Sequence, residues 1–290
     1  MNKNYRDVRY ESEDGLTLYA RDYSDKKDAL VVLCLHGLTR NARDFEGLCD
    51  VLPSRYRLIV PDQRGRGKSD YDSRVENYTP AVYVQDMLRL LGFLEVKSAV
   101  IIGTSMGGIM AMIMAALYPQ MISAFVLNDV GPEISPVGLA RLKKYVGQVI
   151  EVSSWSDAVN YVREINGSAF PYYGKDDWLR FARNVFDEDA QGVPTLAYDV
   201  NIARSLADAE RTAPLDLWPM FDTIKEIPTL LIRGETSDIL TRDCAEKMVA
   251  MCENISFVEV SNIGHAPMLD EPQAVQAIEV FLEKFEHTKG

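Results

Sequence analysis

Short apolar runs alternate along the chain with longer stretches of helical period. Ala29–Leu35, Arg57–Val60, Ala99–Ile102, Ile122–Leu127, Pro228–Gly234 and Ile255–Val260 are nearly continuous in apolar or β-branched residues. That pattern belongs to strands buried on both faces of a parallel sheet, not to half-exposed strands. Between them, Thr79-Pro80 opens a helix through Leu94, with Thr as cap and Pro in the first turn. Ile109–Leu117 is apolar on every side, as a helix inside a large core would be. A helix is predicted around Thr241–Met251, and an amphipathic closing helix from Glu271-Pro272 to Phe285 turns Val275, Ile278, Phe281 and Leu282 inward. Ahead of all of these, residues 5–23 read as a hairpin turned at Glu13-Asp14-Gly15. The strand–helix alternation predicts an α/β fold with a mostly parallel, doubly wound sheet.

The rhythm breaks after Pro132. From Glu133 to about Trp218 there is no β-branched run, only helical patches at Val137–Ile150, Trp155–Ile165, Asp176–Phe186 and Leu196–Ala209. Turns such as Asn166-Gly167, Pro171 and Gly192-Val-Pro194 separate them, and the block carries Trp155, Trp178 and Trp218 with the Tyr172-Tyr173 pair. The expected division is therefore 1–132 and 216–290 as two parts of one α/β core, with 133–215 a helical insertion after the sixth strand.

Ser98 to Pro119 organises the chemistry. A strand, then Gly103-Thr104-Ser105-Met106-Gly107-Gly108, then a helix, places one hydroxyl at the apex of a sharp turn. Glycines two residues before and after Ser105 let strand and helix approach closely, which is the mechanics of a G-x-S-x-G nucleophile elbow. With His36-Gly37 after an early strand, an Asp in Gly234-Glu-Thr-Ser-Asp238, and Gly264-His265 near the end, the chain resembles an α/β-hydrolase from about residue 30 to 270. The resemblance implies the α/β-hydrolase fold, with the helical insertion as a cap. It also assigns a structural role to the Asp62-Gln-Arg-Gly-Arg-Gly-Lys-Ser69 loop. That loop does not match a phosphate-binding pattern: a Walker A motif needs Gly at 62, and a dinucleotide fingerprint needs Gly at 70, where Asp stands.

A serine hydroxyl needs a base, and neutral imidazole suits pH near 7. The chain has three histidines, His36, His265 and His287. His287 lies in the polar tail and His36 in the early loop, which leaves His265 as base and His36 as loop support. A carboxylate must orient the imidazole, and Asp238 in the usual acid loop gives the order Ser105, Asp238, His265. Asp129, which also follows a strand at the same rim, is the alternative acid or a pocket residue. Met106 N–H, after the nucleophile, and Leu38 N–H, after His36-Gly37, are the expected oxyanion donors. Serine at the elbow disfavours the dehalogenase and epoxide hydrolase branches, which use a carboxylate nucleophile. Cleavage of a small, largely apolar carboxylic ester or lactone is the leading expectation. C–C hydrolysis of a ring-cleavage dienoate, as in the similar meta-cleavage product hydrolases, would want a cation such as Arg40. A cofactor-free perhydrolase shares the triad, and a non-catalytic binding module on the same scaffold is the alternative outside enzymes.

Charge and cysteines narrow this further. A net charge of −12, from 43 acidic against 31 basic residues, disfavours nucleic acid or an anionic membrane as partner. Cys34, Cys49, Cys244 and Cys252 form no C-x-x-C pair, and no H-x-H or H-E-x-x-H occurs, so neither disulfide framework nor zinc site is expected. No cofactor is expected, and the partner is a small-molecule substrate. The polar start Met1–Asp7 predicts no signal peptide, and with reduced thiols this predicts a cytoplasmic location. The 47% apolar fraction is ordinary for a globular enzyme.

Overall fold

The computed structural model describes residues 5–286 except 25, 27, 53 and 205–215. Its centre is an eight-stranded sheet built from β1 (Arg6–Glu11), β2 (Thr17–Asp22), β3 (Leu30–Leu35), β4 (Tyr56–Asp62), β5 (Ala99–Thr104), β6 (Ile122–Asn128), β9 (Thr229–Gly234) and β10 (Ile255–Val260). The strand order is β1-β2-β4-β3-β5-β6-β9-β10. β2 runs antiparallel to both β1 and β4, and every other pairing is parallel. The predicted hairpin is β1–β2, with Val8 opposite Ala20.

Period-two alternation within apolar runs divides the core between the two faces. Leu33, Leu35 and Ile101 pack on one side with α2 (Pro80–Phe93) and α3 (Met106–Leu117). Val32, Cys34, Val100 and Ile102 pack on the other with α1 (Glu46–Val51) and α9 (Pro272–Glu283). All of these strand residues are fully buried, and each such side chain contributes about 1.5–3 kcal/mol relative to exposure. That is why the strands read as unbroken apolar runs. Thr79 caps α2 as expected, its Oγ1 accepting from Val82 N–H at 3.4 Å.

Between β6 and β9 the chain forms α4 (Pro136–Lys143), α5 (Trp155–Asn166) and α6 (Lys175–Val185). It then makes a short antiparallel ribbon of β7 (Phe186–Glu188) and β8 (Pro194–Leu196), and returns to the sheet through α7 (Trp218–Ile224). Two of the predicted helices differ. The one predicted over 137–150 stops at Lys143, and the chain turns at Gly147, whose φ of +77° suits glycine. The one predicted over 196–209 is replaced at its start by β8 and a single 3₁₀ turn at Val200–Ile202. Residues 203 and 204 are helical, and the rest of that prediction, from 205, lies outside the described residues, as do residue 215 at the expected boundary and His287. The insertion has an aromatic core of its own. Phe170 stacks on Tyr173 with centroids 4.6 Å apart, and Trp178 meets Phe170 edge-on at 6.3 Å.

After β10, α8 (Arg242–Met251) having already crossed back, the chain runs through Gly264-His265 into α9. The ends of β3, β5, β6 and β9 therefore open on one rim, the edge where parallel sheets gather their sites.

The elbow at the end of β5 rests on absent side chains. A Cβ on Gly103 would lie 2.5 Å from Gly107 carbonyl oxygen, and one on Gly107 would lie 2.1 Å from Leu35 carbonyl oxygen. Backbone atoms cannot rotate out of the way. Gly107→Ala is therefore expected to lower the free energy of unfolding by about 1–3 kcal/mol, read as a lower urea midpoint with an unchanged slope.

Candidate active site

Ser105 stands between β5 and α3 with φ +53° and ψ −116°, a strained conformation for an L-residue. The strain is held by backbone bonds on both sides. Ser105 N–H donates to Asn128 carbonyl oxygen at 3.0 Å, and its own carbonyl accepts from Gly108 N–H at 2.9 Å. These contacts leave Oγ to face the imidazole of His265, whose Nε2 is 3.0 Å away. The sequence reading placed these two residues in one site, and the fold brings them together across 160 residues.

The carboxylate beside His265 is the alternative, Asp129, and not the favoured Asp238. Asp238 does not bond His265. Its carboxylate is taken in bidentate fashion by Arg141 of α4, at 2.5 and 2.8 Å. Burial pushes the Asp238 carboxyl up, but Arg141's hydrogen bonds and charge outweigh this and hold it below the usual range. Asp129, fully buried just past β6, instead places Oδ2 2.7 Å from His265 Nδ1. Three groups converge on that carboxylate. Besides the imidazole, Gly234 N–H donates to Oδ1 at 2.9 Å and Ser237 Oγ–H to Oδ2 at 2.6 Å. Ser237, which sequence reasoning did not single out, accepts in turn from Ile239 and Leu240 N–H at 3.2 Å. The loop expected to carry the acid thus supports the Asp129 carboxylate, which follows the neighbouring strand.

His36 is buried beneath the early loop. Its Nε2 accepts from Gln63 N–H at 3.0 Å, which leaves Nδ1 to donate to Gly37 carbonyl oxygen at 2.8 Å. Burial pushes its pKa down to about 3, so it is a neutral strut and not a base. Neither Leu38 N–H nor Met106 N–H bonds to protein among the described residues. Met106 N–H is also at the first turn of α3, where helix geometry leaves amides without partners. Both amides are therefore without a protein acceptor among the described residues.

The cavity over Ser105 is walled by the early loop and the His265 segment from the core, and by Tyr145, Val146, Tyr161, Asn166, Phe170, Phe181 and Tyr198 from the insertion. Arg40 and Asp44 also line it, but they satisfy each other. Arg40 Nε and Nη2 each meet an Asp44 oxygen at 2.6 Å, and the guanidinium lies 4.2 Å from the Phe181 ring centre. Arg40 thus lines the cavity, though its donor fork faces Asp44. No group of three or more metal-ligating side chains exists among the described residues, and none of their helices is long and apolar enough to cross a membrane.

A family model described as the alpha/beta hydrolase fold matches residues 31–272. A 3-hydroxybutyrate-oligomer hydrolase from Cupriavidus necator is 32% identical over 262 residues, which span 88% of this chain and 88% of its own. A 2-(acetamidomethylene)succinate hydrolase from Mesorhizobium japonicum is 26% identical over 250 residues, 86% of this chain and 85% of its own. Among solved structures, an alpha/beta hydrolase from Novosphingobium aromaticivorans superposes with a TM-score of 0.92 at 41% identity, covering 98% of this chain and all of that one.

Two outcomes follow from this geometry. Asp129→Asn should lower kcat by about 10⁴-fold through loss of the correct imidazole tautomer, while Asp238→Asn keeps kcat within about tenfold, because its partner is Arg141. A steady-state assay of both variants checks the pair, and the reverse ranking would return the acid to Asp238. His36, with a folded pKa near 3 against an ordinary 6.5, binds its proton less readily folded than unfolded. Its contribution to stability is present above about pH 6.5 and is lost as pH falls, at about 1.4 kcal/mol per unit. Urea melts at pH 7 and 5 should show this loss, and His36→Gln should lack that part of the slope.

Proposed function

The chain belongs to the alpha/beta-hydrolase family, and from that premise we propose that it is a serine esterase. In this reading it cleaves short carboxylic esters through an acyl-enzyme, with small linear oligoesters of hydroxy acids as the natural substrate class. The observation that carries the reading is the unbroken line from Ser105 Oγ through His265 to Asp129, at 3.0 and 2.7 Å.

Ser105 Oγ attacks the ester carbonyl carbon while His265 Nε2 takes the hydroxyl proton. The carbonyl oxygen, now an alkoxide, accepts from the N–H groups of Leu38 and Met106. Two such donors in a water-poor site are the large electrostatic contribution to acyl transfer. The carbon–oxygen bond to the alcohol then breaks, and His265 returns its proton to the leaving oxygen. Water repeats the sequence on the acyl-enzyme, with the same imidazole as base. Asp129, supported by Gly234 N–H and Ser237 Oγ–H, keeps Nδ1 protonated and Nε2 free to accept.

The substrate class rests on two supports. The cavity mixes apolar wall, Val146, Phe170 and Phe181, with the hydroxyls of Tyr145, Tyr161 and Tyr198 and the amide of Asn166, a lining suited to short aliphatic chains bearing hydroxyl or ester oxygens. The Cupriavidus necator relative carries such an activity in its name. The pairing of Arg40 with Asp44 speaks against a dienoate, whose carboxylate would need a cation with free donors.

The test is an ester panel. Wild-type protein should release nitrophenol from p-nitrophenyl butyrate and shorten a 3-hydroxybutyrate trimer. A serine-directed fluorophosphonate should stop both, and Ser105→Ala should lower kcat by about 10⁶-fold. Turnover indifferent to Ser105→Ala, or bleaching of a ring-cleavage dienoate in preference to every ester, would overturn the reading.

A further inference from the structure

Arg66 is fully buried, yet no carboxylate lies within ion-pair distance of it among the described residues. Its neighbour in sequence shows the ordinary solution: Arg64, equally buried, is met by Asp14, Asp72 and Asp86. Arg66 is held by neutral groups instead. Nε donates to Leu38 carbonyl oxygen at 2.9 Å and Nη1 to Arg64 carbonyl oxygen at 2.8 Å. Nη2 lies 3.8 Å from Met106 Sδ. The guanidinium sits 4.7 Å from the Tyr83 ring centre and 5.8 Å from that of Tyr78. Asp199, whose carboxylate meets the same Tyr78, is engaged by Tyr78 Oη at 2.7 Å and by its own 3₁₀ turn. A buried charge without a counter-charge costs several kcal/mol, so its persistence needs a reason.

The location supplies one. Beyond its own loop and the two tyrosine rings, the guanidinium nitrogens reach Leu38 and Met106, the two residues whose N–H groups are assigned to the oxyanion. We propose that Arg66 is a positioning residue for the oxyanion hole: it fixes the two donor residues from behind and supplies a buried positive charge that is answered only when the substrate oxygen becomes negative. The arrangement is electrostatic preorganisation, in which the unfavourable charge is placed during folding and needs no rearrangement during reaction. The inference rests on the esterase reading for its substrate, though not for its readout.

The readout is a short-chain trifluoromethyl ketone. Ser105 Oγ adds to its carbonyl carbon, the hydroxyl proton passes to His265 Nε2, and the ketone oxygen becomes an alkoxide in the oxyanion site. The matching methyl ketone, which stays neutral, is the control. Arg66→Gln is expected to lower kcat per fluorophosphonate-titrated site by about 10²–10³-fold with KM nearly unchanged. It should weaken the trifluoromethyl ketone by the same factor and leave the methyl ketone unaffected. Arg66→Lys, which keeps the charge and loses the fork, should recover part of both losses.

A merely structural role predicts fewer titratable sites working at the wild-type rate, and that result would overturn the proposal. Should Arg66→Gln fail to fold, Arg66→Lys carries the test, with a fall of about tenfold in kcat and in trifluoromethyl ketone affinity together. Values within twofold of wild type in both would reject the role. If wild-type protein binds the trifluoromethyl ketone but turns over no ester, the substrate reading fails while the Arg66 comparison still stands.

Discussion

One hydrogen bond decides what the site can do: that between His265 Nδ1 and the buried carboxylate of Asp129. An imidazole can accept a proton from serine only through a nitrogen that is bare, and a carboxylate on Nδ1 is what keeps Nε2 bare. A carboxylate in a fully buried position is unfavourable without donors. Gly234 N–H and Ser237 Oγ–H provide them. Position and charge are therefore set by β6, by the end of β9 and by the loop that follows, all meeting at one rim of the sheet.

Strain gathers at the same rim. Ser105 and Asp129 both have positive φ, at +53° and +55°. Each is the first residue past a parallel strand where the chain must turn off the sheet while its side chain still points over the edge. The two strands are direct neighbours, with Gly103 opposite Leu127 and Thr104 opposite Asn128. Ser105 and Asp129 are thus fixed relative to each other by sheet register, and His265 bridges them from a loop. A geometry built on adjacent strands tolerates less drift than one built on loops alone.

The core strands, the elbow and the pairing of Ser105 with His265 were legible because each depends on local pattern. Apolar runs of strand length, two glycines around a serine and a single suitable histidine need no knowledge of packing. Which carboxylate meets His265 was not legible in the same way. Asp129 and Asp238 both follow strands that end at the same rim, and those strands, β6 and β9, are neighbours. What separates the two carboxylates is Arg141, which reaches Asp238 from a helix 97 residues away in sequence. No local signal marks that pairing. A better clue was available in Asn128-Asp129, which follows β6 directly, whereas Asp238 lies four residues beyond Gly234. The β7–β8 ribbon escaped notice for a related reason. Phe186-Asp-Glu has little strand propensity, and the ribbon is closed by Asp189, whose Oδ1 accepts from Gln191 and Val193 N–H at 2.9 and 2.8 Å.

The loop at 62–69 ties these features into one unit. Gln63 N–H fixes the tautomer of His36, and His36 then holds Gly37 carbonyl oxygen. Asp62 Oδ1 accepts from Ala42 N–H at 2.7 Å, and Oδ2 from Lys68 N–H at 2.8 Å, joining the loop to the 3₁₀ turn after the His36-Gly37 segment. Gly67 N–H reaches Ala197 carbonyl oxygen at 2.8 Å, in the insertion that roofs the cavity. A segment with no reacting atom of its own therefore contacts both the floor and the roof of the site. Backbone amides can serve as oxyanion donors only if their peptide planes are held still, since they have no rotamers with which to search for the substrate. Burying this much polar chain is costly unless every group is matched, and the expense is justified where the positions of two N–H groups depend on it.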